Sequence, residues 1–340
     1  MKVRLKKRYV AFIEEDSHSF LGNIFYLFLY LLSFVYKLVI TIRNFLYDKK
    51  LLKSYHSASS FTIGVGNISW AGTGKTPLCL WLYGQFNLKV KTAILRRGYG
   101  KDEEKLIKEK CPEVFSSPDR LNLVKGLEKK YDLFILDDSF QYRKLKKDLE
   151  VVIMGQREFD KKINLIPASF FREPFKNIKR ANFLIINYKK QANREKAKRK
   201  IAEVAPQLEV YFSDYQIIGL EGLDEKRYEL SHLRGKKIAA FAAIGYPQGF
   251  FGLLKENGFK LEKEIRYPDH HNLSNYEYSK LEERLLNSGI NKLVITRKDK
   301  YHLPKGRKKI DIFIVDVKLE IENKKELLEA IIQKMNNKLN

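Results

Sequence analysis

Residues 64–78, GVGNISWAGTGKTPL, form the stretch whose residue types and spacing best suit a polyphosphate. Gly74, Lys75 and Thr76 complete the pattern G-x-x-x-x-G-K-[ST], but its first position falls on Ser69 rather than glycine. In such a loop the lysine reaches the outer phosphates and the threonine hydroxyl ligates magnesium. Backbone amides of Ser69, Ala71, Gly72, Thr73 and Gly74 are the expected cradle, with Gly72 and Gly74 allowing close approach of the anion. A second constellation is LFILDD (133–138), in which a hydrophobic strand ends in Asp137 and Asp138. Two such carboxylates can hold magnesium opposite a P-loop threonine, directly or through water. In RRGYG (96–100) either Arg96 or Arg97 could grip a phosphate with two parallel bonds, although a surface turn is the simpler reading of that motif alone. FREP (171–174) is ambiguous in isolation. YPDHH (267–271) sets Asp269, His270 and His271 in one loop, where a carboxylate–imidazole pair could manage a proton.

The elements around these residues read as alternating strands and helices. FTIGVG (61–66) is a buried parallel strand, and PLCLWLYGQF (77–86) a short amphipathic helix with Pro77 in its first turn. Residues 90–95, 131–138, 149–154 and 182–187 are strand-like, and 117–130 is a helix with Asp119 near its positive end. A second set follows, with strands at 236–244, 292–299 and 311–317 and a helix through PQGFFGLLKENG. Repeated β–α units predict an α/β fold: a P-loop NTPase-like, mostly parallel sheet with helices on both faces and a smaller C-terminal α/β lobe. Ligands in such sheets sit at the carboxyl ends of strands, where these motifs lie. The expected division is an N-terminal membrane-anchoring helix (1–48), a P-loop kinase domain (49–215) and a C-terminal lobe (216–340) that carries the Asp-His motif.

The chain has 340 residues and a formal charge of +24, with 65 Lys and Arg against 41 Asp and Glu. Such a balance suits nucleic acid, an anionic membrane surface or a phosphorylated substrate. Part of it, KKQANREKAKRK (189–200), reads as the solvated face of a helix. Cys79 and Cys111 form no C-x-x-C pair, so neither a disulfide framework nor a zinc site is indicated. Residues 20–42 are long and apolar enough to cross a bilayer. As a helix, they and Asn44 just beyond gather Tyr26, Tyr30, Ser33, Lys37, Thr41 and Asn44 on one stripe, opposite Ile24, Phe28, Leu31, Val35, Val39 and Ile42. That seam fits a helix in the membrane interface, or one that spans with a face against protein. Basic residues flank both ends, so charge gives no orientation.

Taken in order, GNISWAGTGKTP, RRGYG, SSPDR, DDSFQY, FREP, AAIGYPQGFF, PDHH and TRKD resemble the tetraacyldisaccharide 4′-kinases, the lipid A 4′-kinases of Gram-negative bacteria. That family also opens its P-loop with threonine or serine. The resemblance implies transfer of the γ-phosphoryl of ATP to the 4′-hydroxyl of a tetraacylated glucosamine disaccharide 1-phosphate, giving lipid IVA for lipopolysaccharide. It implies ATP and Mg²⁺, work at the cytoplasmic face of the inner membrane, a lipid disaccharide 1-phosphate partner, and neither nucleic acid nor an obligate protein partner. By correspondence Lys75 and Thr76 hold the phosphates and the metal, with Asp137 and Asp138 completing the metal site. Lys75, Asp138, Asp102 of KDEE (101–104) and His270 are the implied catalytic groups, Asp102 pairing with His270. Arg96, Arg97, Arg120, Gln141, Arg172, Glu173 and Asp269 are the expected substrate contacts. The chain departs from the family in KDEE, in Ser139 and Tyr142, before FREP, and at Arg297. A membrane-associated NTPase switch would hydrolyse nucleotide without an acceptor, and no guanine-type N-K-x-D motif supports it. A basic nucleic-acid binder leaves the hydrophobic helix unexplained.

Overall fold

The computed structural model describes residues 9, 12–13, 19–70, 72–98, 101–155, 157–160, 164–187, 191–269, 271–306 and 308–339, apart from the side chains of 101–103, 157, 160 and 191–193. The chain divides into two units, one of Met1–Tyr99, Ile107–Asp214 and Ile321–Asn340, the other of Gly100–Leu106 and Tyr215–Glu320.

The first unit is built on strands β1 (Phe61–Gly66), β2 (Thr92–Arg96), β3 (Val114–Ser116), β4 (Leu133–Leu136), β5 (Leu149–Gly155) and β6 (Phe183–Asn187), together with the start of β7 (Glu209–Gly222). They lie in the order β7–β6–β5–β1–β4–β2–β3, every pairing parallel. β1 is buried at all six positions, as a strand covered on both faces must be, and it accordingly reads as a continuous apolar run. The chain leaves β1 towards β4 and β2 and later returns on the other side at β5, so the end of β1 is the switch point where such sheets bind ligands. The unit's helices include α1 (Phe20–Asp48), α2 (Lys75–Phe86), α4 (Arg120–Leu127) and α5 (Gln191–Ala202); α3 (Lys101–Lys110) begins in the second unit and only its end, from Ile107, belongs to the first. Asp119 caps α4, its carboxylate accepting from the Asn122 amide, which accounts for the acidic residue at that helix start.

α1 runs for 29 residues, about 44 Å at 1.5 Å per residue. Leu29, Ser33, Ile40 and Asn44 are its buried positions, spaced so that they share one face. Phe28, Leu31, Val35, Val39 and Ile42 on the opposite face are exposed. The expected polar stripe is turned to protein only in part: Ser33 and Asn44 are buried with Leu29 and Ile40, whereas Tyr30, Lys37 and Thr41 are exposed. Tyr26 accepts from Asn164, the Tyr36 hydroxyl donates to the Arg172 carbonyl, and the Asn44 carbonyl accepts from Arg143.

The second unit holds β8 (Arg227–Tyr228), β9 (Ile238–Ala242), β10 (Leu261–Arg266), β11 (Lys292–Thr296) and β12 (Asp311–Ile321), with α6 (Pro247–Glu256) and α7 (Asn275–Leu286). Its parallel sheet runs β10–β9–β11–β12, and β7 pairs antiparallel with β8. α7 opens with a capping box between Ser274 and Glu277. The last helix, α8 (Lys324–Leu339), belongs to the first unit. There the Lys338 ammonium donates to the carbonyls of Ser57 and Ser60 at 2.7 and 2.9 Å and meets Asp148 at 2.8 Å, fastening α8 to the lead-in of β1.

Candidate nucleotide and phosphoryl-transfer site

Two glycines shape the loop after β1. A Cβ on Gly66 would lie 2.5 Å from the Phe140 Cβ and 2.6 Å from its amide nitrogen, so β1 passes the turn that follows β4 only without a side chain. Gly74 has φ of 94°, the left-handed region that glycine enters without steric cost, and it turns the chain directly into α2. The helix consequently starts at Lys75, two residues before the expected Pro77. Lys75 and Thr76 thus occupy the first turn, where backbone N–H groups lack intrahelical partners and favour an anion.

Ser69 has a structural task. It is fully buried, and its hydroxyl donates to Glu158 Oε1 at 2.7 Å. The Asn67 side-chain amide donates to the same oxygen at 3.2 Å and to Thr73 Oγ1 at 2.7 Å, while Asn67 Oδ1 accepts from the Ser69 amide. Glu158 Oε2 in turn accepts from the Gly155 amide at 2.9 Å. The two ends of the loop are held by side chains around one buried carboxylate, and glycine at position 69 would remove a member of that network. Glu158 was not among the expected site residues; no spacing in the sequence announces it.

The carboxylates behave differently from each other. Asp137 is buried at the end of β4, and its Oδ2 accepts from Thr76 Oγ1 at 3.3 Å. Hydroxyl and carboxylate oxygens so juxtaposed are the donor type magnesium takes. Asp138, with φ of 50°, points elsewhere: both its oxygens receive the Arg172 guanidinium, at 2.8 and 3.0 Å, and Lys75 Nζ lies 3.6 Å away. Burial opposes its ionisation, but the Arg172 hydrogen bonds and the charges of Lys75, Arg172 and Arg120 hold it well below the usual carboxylate range. The Asp137–Asp138 turn is fixed from beneath by Arg120, whose Nη1 donates to both carbonyls at 2.6 and 3.2 Å while its guanidinium lies over the Tyr142 ring. Lys147, also buried, donates to the carbonyls of Ser139 and Tyr142 and pairs with Glu150 at 2.6 Å. Burial pushes the Lys147 ammonium down from its ordinary value.

Several expected substrate contacts turn inward. Arg120 and Arg96 are each 3% exposed, and Glu173 is fully buried. Glu173 Oε2 accepts from Asn44 at 3.1 Å, from Asn177 at 2.7 Å and from Arg180 at 2.7 Å, and its Oε1 accepts from Arg43 at 3.3 Å. Instead of facing solvent where a substrate could meet it, the carboxylate is enclosed by α1 and the turn after it, since a buried charge needs this many donors. Gln141 donates to the Asn67 carbonyl at 2.8 Å, beside the loop. Arg97 is exposed. In the second unit Asp269 meets Lys298 at 3.1 Å, and the neighbouring His271 stacks on Tyr267 and pairs with Glu277. The backbone of Asp102 is in the first turn of α3. Its side chain, Ala71 and His270 lie outside the described residues. The loop residues, Lys75, Thr76, Asp137, Asp138, Gln141 and Arg172 are brought together in the first unit.

A family model described as tetraacyldisaccharide-1-P 4′-kinase matches residues 25–336. The chain is 30% identical to the tetraacyldisaccharide 4′-kinase of Elusimicrobium minutum over 96% of each chain. It is 24% identical to that of Halothermothrix orenii, over 97% of this chain and 98% of the relative. Among solved structures, LpxK from Aquifex aeolicus in complex with ATP is similar with a TM-score of 0.67 and 25% identity, covering 89% of this chain and 97% of the other. A P-loop opened by serine, a strand-end carboxylate pair beside it and similarity over nearly the full length lead to one statement: the chain belongs to the tetraacyldisaccharide 4′-kinase family.

Proposed function

We propose that this protein transfers the γ-phosphoryl group of ATP to the 4′-hydroxyl of a tetraacylated glucosamine disaccharide 1-phosphate, the step that gives the bis-phosphorylated precursor of lipid A. The observation that carries the reading is the cluster at the end of β1 and β4, where Lys75, Thr76, Asp137, Asp138 and Arg172 converge beside a helix N-terminus. Phosphoryl transfer asks a protein for positioning and charge neutralisation more than for covalent chemistry. The loop amides from Ser69 to Thr76 bind the triphosphate, and the Lys75 ammonium offsets its outer charge. Thr76 and Asp137 would hold Mg²⁺, which would supply charge neutralisation at the phosphate oxygens. Asp138, kept ionised by Arg172, orients Lys75. The Asp102–His270 pair takes the proton of the attacking hydroxyl. Arg97, Gln141 and Asp269 are left as the candidate contacts to the sugar phosphate, and Arg96, Arg120 and Glu173 support the site from within.

Residues 1–48 attach the enzyme to the cytoplasmic face of the inner membrane, 49–215 hold the donor, and 216–340 supply the Asp-His motif. α1 is long and apolar enough to cross a bilayer, and its exposed face meets lipid. The acceptor has its acyl chains in the bilayer, so a basic, attached enzyme meets it at the right depth. The test supplies radiolabelled ATP and purified protein in detergent micelles with disaccharide 1-phosphate, with or without its 4′-hydroxyl. Label enters lipid only when that hydroxyl is present; phosphate release that is indifferent to acceptor overturns the assignment.

A further inference from the structure

Arg172 and Glu173 are consecutive residues, and they face in two functional directions. The Arg172 guanidinium grips both oxygens of Asp138, and its Nη2 also reaches the Asn67 carbonyl at 3.4 Å. The backbone amides of Arg172 and Glu173 both donate to the Ile68 carbonyl, at 2.7 and 3.2 Å, which ties the pair to the loop that follows β1. On the other side the Arg172 carbonyl accepts from the Tyr36 hydroxyl at 2.9 Å, and the Glu173 carboxylate accepts from Arg43 and Asn44. Tyr36, Arg43 and Asn44 are three points on one face of α1, separated by steps of seven and one. A two-residue bridge thus joins the helix whose other face is a row of exposed Leu, Val, Ile and Phe to the carboxylate beside the phosphate-binding lysine.

We propose that Tyr36 and Glu173 are positioning residues through which the seating of α1 on a lipid surface sets the Arg172–Asp138 grip, so that the membrane helix is part of the catalytic apparatus as well as its anchor. The physical basis is the burial of the bridge. Glu173 has no exposed surface and carries the charges of Arg43 and Arg180 together, so α1 cannot shift along its axis without stranding a buried carboxylate. Movement of α1 would pull on the Arg172 carbonyl through Tyr36 and displace the guanidinium from Asp138. Lipid that holds the apolar face of α1 in place therefore favours the arrangement in which both oxygens of Asp138 are gripped by Arg172.

The inference rests on the kinase reading above, and the experiment separates the two. Wild type and Lys75→Ala are assayed first in mixed micelles; transfer that is absent from both is a failure of the kinase reading, and transfer in wild type alone opens the test. Tyr36→Phe removes one hydroxyl and leaves its ring in the core, so it keeps the fold. We expect its kcat at saturating lipid and ATP to fall about five- to ten-fold, with thermal midpoint and partition onto anionic phospholipid vesicles unchanged. Glu173→Gln should lose more, and where it fails to fold, Arg43→Ala, half-exposed at that position, takes its place. In an Arg172→Ala background the Tyr36→Phe loss should vanish, because both act through the same guanidinium. A Tyr36→Phe enzyme with wild-type kcat overturns the proposal, as does a loss that extra lipid restores, which marks a plain anchor. Losses that multiply with Arg172→Ala overturn it too.

Discussion

Two strand-end carboxylates in this molecule look alike in sequence and differ in what surrounds them. Asp138 follows β4 in the first unit, and Asp299 follows β11 in the second. Asp299 is fully buried; its Oδ1 accepts from the Ala243 amide at 3.0 Å and meets buried His302 at 3.2 Å, and its Oδ2 accepts from Thr296 at 2.6 Å. Those partners belong to the end of β9 and to its own turn, so Asp299 fastens strand ends. Asp138 keeps about a third of its side-chain surface, and its partners are the side-chain heads of Lys75 and Arg172. Long cations can change partner at little cost, whereas a backbone amide cannot. The difference lies in the donors: long side chains at Asp138, and the backbone amide and the turn's own side chains at Asp299.

The contrast can be broken most decisively by paired substitutions. Asp138→Asn should lower kcat by about 10²- to 10³-fold, as removal of a group that steers transition-state charge does, while the enzyme stays folded at neutral pH with a lowered thermal midpoint. If initial rates are unchanged, Asp138 belongs with Asp299. Asp299→Ala should show the opposite signature. It strands the Ala243 amide and a buried imidazole, costing about 2–4 kcal/mol in urea unfolding, with near-normal turnover per folded molecule. A smaller effect sharpens the account of the loop. Ser69→Gly restores the ordinary P-loop consensus yet removes a bond to buried Glu158, so about 1.5 kcal/mol of loop order is lost and KM for ATP rises about ten-fold. Ser69→Thr should retain wild-type KM; a Ser69→Gly enzyme that binds ATP as well as wild type removes Glu158 from the picture.

The smallest effect is in acid. The pKa of Asp138 is lowered by folding, so its contribution to stability is complete above its unfolded value near pH 4 and is lost as pH falls through the folded value. Denaturation of wild type and Asp138→Asn between pH 6 and pH 2 should show a constant gap above about pH 4 that closes below it. A gap that widens in acid contradicts the sign.

Much of this was legible from residue order. β1 occupies Phe61–Gly66 as read, because Phe61, Thr62, Ile63 and Val65 are β-formers and the run is uncharged between polar turns. The polar stripe of α1 located its protein-facing side only in part: Asn44 and Ser33 need partners that lipid does not supply and are buried, but Tyr30, Lys37 and Thr41 of the same stripe are exposed. β10, with the sequence LEKEIR, escaped notice because it is only partly covered and carries charges where a central strand would be apolar. α7 and α8 were likewise unread. The inward turn of Arg120 and Glu173 could not be seen either. A charged residue in a loop motif reads as solvent-facing, and only tertiary structure supplies the carbonyls and guanidinium groups that let it be buried.

The clasp of Lys338 on the carbonyls before β1 joins positions 281 and 278 residues apart. Everything from Tyr215 to Glu320 is made between the P-loop sheet and the helix that fastens its leading edge. During synthesis, therefore, the ATP-holding half waits with an unlatched central strand while another half emerges and folds. Latching it requires closure of a long loop, the kind of non-local contact that forms after local ones.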